Sequence, residues 1–481
     1  GAITGTADAT INSIIVGKGA NSVAGNTVLG ESALDAAVTG QNNTAIGNAA
    51  LTANTSGAGN TGVGHDALKS NISGAHNTAL GDKSLDANTS GTRNTAIGED
   101  SLGSNTTADF SVAVGYRALL ANTTGTSNVA VGAQALGATV TGVSNTAVGR
   151  SCLQNNTASN NTAVGNRALF VNTSGYDNVA IGSLNLDANT TGHSNTGVGK
   201  NTLGANTTGT SNVAVGTNAL DANTTGSFNT ATGMHALGGN QTGISNSALG
   251  YAALFLNTTG QFNVAVGTNA LNGNTTASNN TAVGFFALKQ NTTGAQNVAI
   301  GANALDANTT GNNNTAIGKD ALGTNTTGGD NTAIGTRNLQ FNLTGIDNTG
   351  VGRDSLRQNT TGSNNSALGK DALLSNTTAS NNTAVGKDSL KANTTGTNNT
   401  ALGYSALLSN TTGYDNVALG SLTLDVNTTG FGNTGLGRGV LSANTTASNN
   451  TGVGYLALRV NTTGISNVAI GAKALEDNTT G

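Results

Sequence analysis

Apolar residues return along this chain at fixed places in a 17-residue unit. The run N-T-A-I-G-N-A-A-L-T-A-N-T-S-G-A-G fills residues 43–59, and N-T-G-V-G-H-D-A-L-K-S-N-I-S-G-A-H follows at residues 60–76. Counted from the Gly that closes N-T-A-I-G, a Leu stands four residues on in every copy, from Leu34 to Leu475. The residue before the Gly is Val, Ile or Leu, with Thr232 as the polar exception, and the residue two before it is Ala in 21 copies, Gly in five and Val28 in one. The closing Gly recurs from Gly30 to Gly149 (8 copies) and, after one dropped residue, from Gly165 to Gly471 (19 copies), so 27 units cover nearly the whole chain. Self-similarity at a fixed short period marks a solenoid, each unit being one coil stacked on the last.

The stretch N-[TV]-A-[VIL]-G alternates and is rich in β-branched residues, which predicts a short strand ended by a glycine bend. The fold class is therefore all-β: a parallel β-solenoid of about 27 coils, with residues 1–25 as a cap or lead-in and residues 26–481 as one continuous array. At about 4.8 Å per coil such an array would be a rod of roughly 130 Å. Leu51, Leu68 and Leu85 are expected to fill the coil interior, together with Ile46, Val63 and Leu80 from the strands. Ala45, Gly62, Ala79 and Ala96 point to the other side of the same strands. That rank never carries a charge, and a strand without charge on either face is buried on both. The expectation is that these small residues form a lateral contact between chains.

Two asparagine ranks frame the unit, Asn43 and Asn60 at its opening and Asn54 and Asn71 before the T-T-G bend. Stacked at one-coil spacing, their amides can bond along the column as ladders, and Asn suits the turns at coil corners. With Gly47, Gly64 and Gly81 they are the predicted corners. Charges such as Asp82, Lys83, Glu99 and Asp100 cluster on the drifting ranks, which predicts the outer surface.

Composition narrows the function more than the fold. Charged residues are 9% of the chain, far below the ~25% of an ordinary domain, yet regularly placed Leu and Val argue against disorder. A net charge of −4 over 481 residues gives no field to draw nucleic acid or an anionic membrane. No apolar run approaches the ~20 residues of a membrane helix, so no membrane insertion is expected, and no signal peptide is recognised. Opening at Gly1 and stopping at the end of a unit, the chain is read as part of a longer or processed protein.

No residue set points to catalysis, a cofactor or a metal, and the chain is not expected to be an enzyme. His65, His76, His193 and His235 all sit on variable outer ranks. Cys152 takes a place otherwise held by Ala50, Ala67 or Ser84, as a small packing residue, and has no recurring base beside it. The 23 acidic residues are scattered over several ranks, which cannot build the column of sites of a calcium β-roll. N-T-T and N-T-S match the N-glycosylation pattern, but a turn with an Asn ladder explains them structurally.

The pattern N-[TV]-A-[VI]-G, as in Asn128-Val129-Ala130-Val131-Gly132 and with variants in the other units, resembles the head repeat of trimeric autotransporter adhesins. The opening I-N-S-I-I-V-G-K-G-A-N-S-V-A-G-N-T-V-L-G-E-S-A-L and the N-T-T-G units also resemble repetitive phage tail-fibre and marine bacterial surface proteins. The resemblance spans about 470 residues, although the adhesin unit is the shorter one. It implies a left-handed parallel β-roll, a homotrimer, and a place outside the cell, on a cell surface or a virion.

The reading that follows is an extracellular structural or adhesive fibre. It would self-associate laterally and, through open edge strands, end to end into filaments, and would meet a host-surface or glycan receptor through its variable ranks. The alternative is an ice-binding β-solenoid that uses Thr ladders. The rank three before the Gly is Thr in 17 units, Val in eight and Ser in two, and its in-line neighbour is aliphatic. Whether that face is open or buried separates the two.

Overall fold

The computed structural model describes residues 8–481, and among them there is no α-helix. The chain is an all-β parallel β-solenoid of about 26 turns with 17 residues per turn. It divides into two compact units, Gly1–Thr242 and Gly243–Gly481.

The first unit opens with an antiparallel hairpin. Strands β1 (Ala9–Ile11) and β2 (Ile14–Gly17) pair through Thr10 and Ile15, and β2 then runs antiparallel to β3 (Thr27–Gly30), Val16 opposite Leu29. Residues 8–25 therefore cover the edge of the first coil, and residues 1–7 of the expected lead-in lie outside the described residues. From β3 onward every recorded pairing is parallel, beginning with β4 (Thr44–Ile46), where Val28 meets Ala45 and Leu29 meets Ile46. The last strand of this unit is Thr230–Thr232. The second unit repeats the plan from Ser247–Leu249 to Val468–Ile470.

Register follows the repeat because equivalent residues pair from turn to turn. Where one residue is missing, Thr146 pairs with Thr162 and Ala147 with Ala163. The unit Asn156-Thr157-Ala158 has lost a Thr that points to solvent elsewhere, as Thr191 does. The shorter turn leaves the inner columns intact: Asn161 N–H still donates to Asn145 Oδ1 at 3.0 Å.

Each coil is thin, and its interior is set by three features. The Leu rank lies wholly inside: Leu51, Leu68 and Leu85 have no exposed surface. These leucines adopt left-handed backbone angles, with φ of 54°, 52° and 52°, which cost about 1–2 kcal/mol for an L-residue. Full burial of the side chain is worth about 1.5–3 kcal/mol, so packing holds the conformation. Gly64, at the corner, has φ of 139°, and a Cβ there would strike the backbone carbonyl of Gly81 in the next turn. Both conformation and close stacking therefore require glycine at that rank.

The asparagine ranks form two buried columns. At the unit opening, Asn60 N–H donates to Asn43 Oδ1 at 2.9 Å, and the Asn60 amide donates to the Gly74 carbonyl at 2.8 Å. Before the T-T-G bend, Asn71 Nδ2 donates to Asn54 Oδ1 at 2.8 Å and to the Gly74 carbonyl at 3.0 Å. The two columns converge on one carbonyl and tie each corner to the turn above. These bonds are what make buried amides tolerable there, and the break in the second column at Thr139 leaves Asn122 Oδ1 without a partner.

Candidate interaction surface

The strand positions the surface of interest, and its parity is the reverse of the sequence expectation. Ala45, Ala79 and Ala96 are fully buried within the single chain, and Gly62 shares their place, its Cα facing Leu51 and the Ala67 carbonyl. They are core, not a lateral contact. Ile46, Val63 and Leu80, expected inside, point outward: Leu80 is 47% exposed, and Ile46 and Val63 are half-buried.

The physical reason is the thinness of the coil. A Cβ added at Gly62 would already lie 3.4 Å from Leu51 Cγ and 3.3 Å from the Ala67 carbonyl. A longer side chain at Gly62 would meet Leu51 and the Ala67 carbonyl, so beyond the first coil, where Val28 is buried on this rank, the strand turns its small residue inward and its large ones out. The opening Asn fixes the same parity, since Asn43 and Ala45 are two residues apart and both buried.

The same rule reaches the rank one before each Leu. Where that rank is larger than Ala, the strand residue twelve positions later is Gly in four cases: Asn185 faces Gly197, Asn338 faces Gly350, Thr423 faces Gly435 and Val440 faces Gly452. Cβ atoms at Gly435 and Gly452 would come within 2.5 Å of Thr423 Cγ2 and Val440 Cγ1. Cys152 occupies this rank and is fully buried, and burial pushes its thiol up to about 12.

Outside, the strands present two columns, one of Thr or Val with Ser247 and Ser366 in two turns, and one of Val, Ile or Leu with Thr232 as the exception. Along them Ile97, Ile181, Leu249, Leu368, Leu402 and Leu436 are exposed, Leu368 at 50%. No charged residue enters either column in any turn. No family model matches the chain, and none of the curated proteins matches it.

The remaining candidate groups are peripheral to this face. His65 Nδ1 lies 2.8 Å from Asp82 Oδ1 on the charged outer surface, and His193 stacks on Tyr176 at 4.7 Å between centroids. Tyr414 and Phe431 stack in the same way at 4.9 Å. No group of three or more His, Cys, Asp or Glu that could hold a metal occurs among the described residues, and no helix of the described residues is long and apolar enough to cross a membrane. The sequon asparagines Asn54 and Asn71 are committed to the buried ladder, so the folded coil does not offer their amides to a transferase.

Sequence reasoning found the strand but not which side of it was open. The signal was present in the alternation itself: with the opening Asn inside, the Ala two residues on must also be inside.

Proposed function

We propose that this chain is a structural and adhesive fibre element of an extracellular surface, assembled through the outward aliphatic face of its strands into a homotrimer of left-handed β-rolls. One observation supports the reading above the others. An uncharged column of Val, Ile and Leu runs along the outside of the strands in both units and is open in the single chain. Contiguous apolar surface of this extent marks an interaction site. A second copy of the chain suits it, because a partner with the same repeat meets every turn with an equivalent turn. Stiffness and reach come from the stacked coils, and receptor contact falls to variable outer ranks such as the exposed Tyr414 and Phe431.

The test is the solution mass of the 46.9 kDa chain by size exclusion with light scattering. Three chains per particle is the expected result. A monomer at all concentrations overturns the reading.

A second reading leaves the same face in water. The Thr/Val rank lies on the outward side of the strand, with Thr315 and Thr332 among the half-buried members of its column, and the turn spacing of about 4.8 Å sets a regular array of hydroxyl and methyl groups. An ice-binding solenoid would use that array. A monomer that shapes growing ice crystals would support this second reading over the first.

A further inference from the structure

The ranks one, two and five residues after each corner Gly form a second surface. Ion pairs join them into one face: Arg353 to Asp354 at 3.0 Å, Lys391 to Asp388 at 2.8 Å and Lys69 to Asp66 at 3.2 Å. The sign of this face differs between two stretches of the chain. Over residues 31–100 it carries seven acids against two bases, Lys69 and Lys83. Over residues 319–391 it carries seven bases against four acids.

Burial widens the contrast in the basic stretch. The side chains of Arg353, Lys370 and Lys387 are 60%, 49% and 53% exposed, whereas their partners Asp354, Asp371 and Asp388 are 5%, 14% and 12% exposed. The carboxylates lie beneath the cations, so solvent meets positive charge. In the acidic stretch Glu99 is exposed, and Asp82 is 49% exposed, with His65 Nδ1 2.8 Å from its carboxylate.

Arg353, Lys370 and Lys387 stand on one rank in successive turns, and Asp82 and Glu99 stand on that same rank in successive turns. Because both columns are built on one repeat, a pair of acids matches a pair of bases turn for turn. We propose that the acidic stretch of one copy docks on the basic stretch of a second copy, so that the particles associate with a stagger that sets residues 31–100 against residues 319–391. This contact is separate from the aliphatic seam and rests on the fibre reading only for its purpose. The occupant is a second copy because the complementary column is present in the same chain at the same spacing. Like-charged stretches facing one another would repel, which excludes the unstaggered parallel arrangement at this face.

The experiment follows the mass of the full chain by light scattering at low and high ionic strength. Exposed charges are screened by salt and buried apolar seams are not, so the proposed contact dissolves at high salt while a trimer built on the strands persists. Wild type should show larger particles at low salt only. Lys370→Glu/Lys387→Glu and, separately, Asp82→Lys/Glu99→Lys should each weaken the salt-sensitive step by about tenfold or more, and mixing the two variants should restore it. Gln replacements at the same four positions, checked by circular dichroism, guard against a misfolded reversal. A particle mass indifferent to salt, or no recovery on mixing, overturns the proposal. Binding of heparin by the wild type without salt-sensitive self-association would also overturn it, by assigning the basic column to an anionic polymer.

Discussion

The side-chain oxygen of Asn338 occupies the space that a Cβ on Gly350 would need. The Asn338 amide donates to the Gly352 carbonyl at 2.8 Å, but its own Oδ1 is buried without a hydrogen-bond partner. In most turns the same pair is Ala with Ala. Gly350→Ala alone should therefore destabilise the local coil by about 1–3 kcal/mol through overpacking. Asn338→Ala with Gly350→Ala should recover that loss and also remove the orphaned oxygen. A double-mutant cycle read by thermal melting measures the coupling, and strictly additive effects would show that the two positions do not share a cavity.

Thr139 interrupts the second amide column. Its hydroxyl donates to the Asn156 carbonyl at 2.7 Å, and Asn122 Oδ1, which would accept from an amide at that place, has no partner. Thr139→Asn should complete the ladder and stabilise the chain by about 1 kcal/mol. Asn88→Ala should do the reverse, since it removes the 2.7 Å bond to Asn71 Oδ1, at a cost of about 1–3 kcal/mol. Amide hydrogen exchange around residues 122–139 reads the first change locally, and unchanged protection would count against it.

Strand parity can be tested by charge. Ile334→Lys and Leu368→Lys place a cation on the outer column, where both residues are exposed. Circular dichroism and monomer melting should change little, while the assembled mass should fall. Ala333→Lys, one residue inward and fully buried, should unfold its coil. Equal damage from the two kinds of substitution would contradict the assignment of faces.

Burial pushes the carboxyl of Asp425 above the ordinary 3.8, its own backbone N–H opposing only in part. A folded-state value above the unfolded one means the folded chain holds the proton more tightly. The cost of ionising Asp425 is absent below pH 3.8 and grows as the pH rises through the raised value. Asp425→Asn should therefore raise the melting temperature at neutral pH and leave it unchanged at pH 3. Asp388 has the opposite sign: partial burial raises its carboxyl, but hydrogen bonds from Lys391 and Lys387 outweigh that and hold it below 3.8. Its contribution is present above the ordinary value and lost as the pH falls through the lowered one, so Asp388→Asn should destabilise at neutral pH and have no effect in strong acid.

Cys152 is enclosed, and its thiol is pushed up to about 12 by burial. Alkylation of the native chain at pH 8 should be far slower than that of the unfolded chain, because the thiolate is the reactive form. Cys152→Ser should fold normally, since Ser84 and Ser101 hold the same rank fully buried, each hydroxyl donating to the carbonyl of the preceding corner Gly. Rapid native labelling would show that this part of the coil opens.

By itself the sequence determined whatever depends on neighbours along the repeat. The period, the interior Leu rank, the corner Gly and both asparagine columns follow from local constraint, because a column of identical turns exposes each rank to one environment 27 times. Tertiary structure decided which side of the strand is inside. Hydrophobicity placed Ile46 and Leu80 in the core and Ala45 in a contact between chains, yet the coil is too thin to hold a large side chain opposite Leu51. Volume, not polarity, selected the inward residue. The charged face was legible only as drift, since the linear order of Lys370 and Asp371 does not say that the cation stands in solvent and the carboxylate beneath it. Depth below a surface is a property of stacked turns, and no single unit contains it.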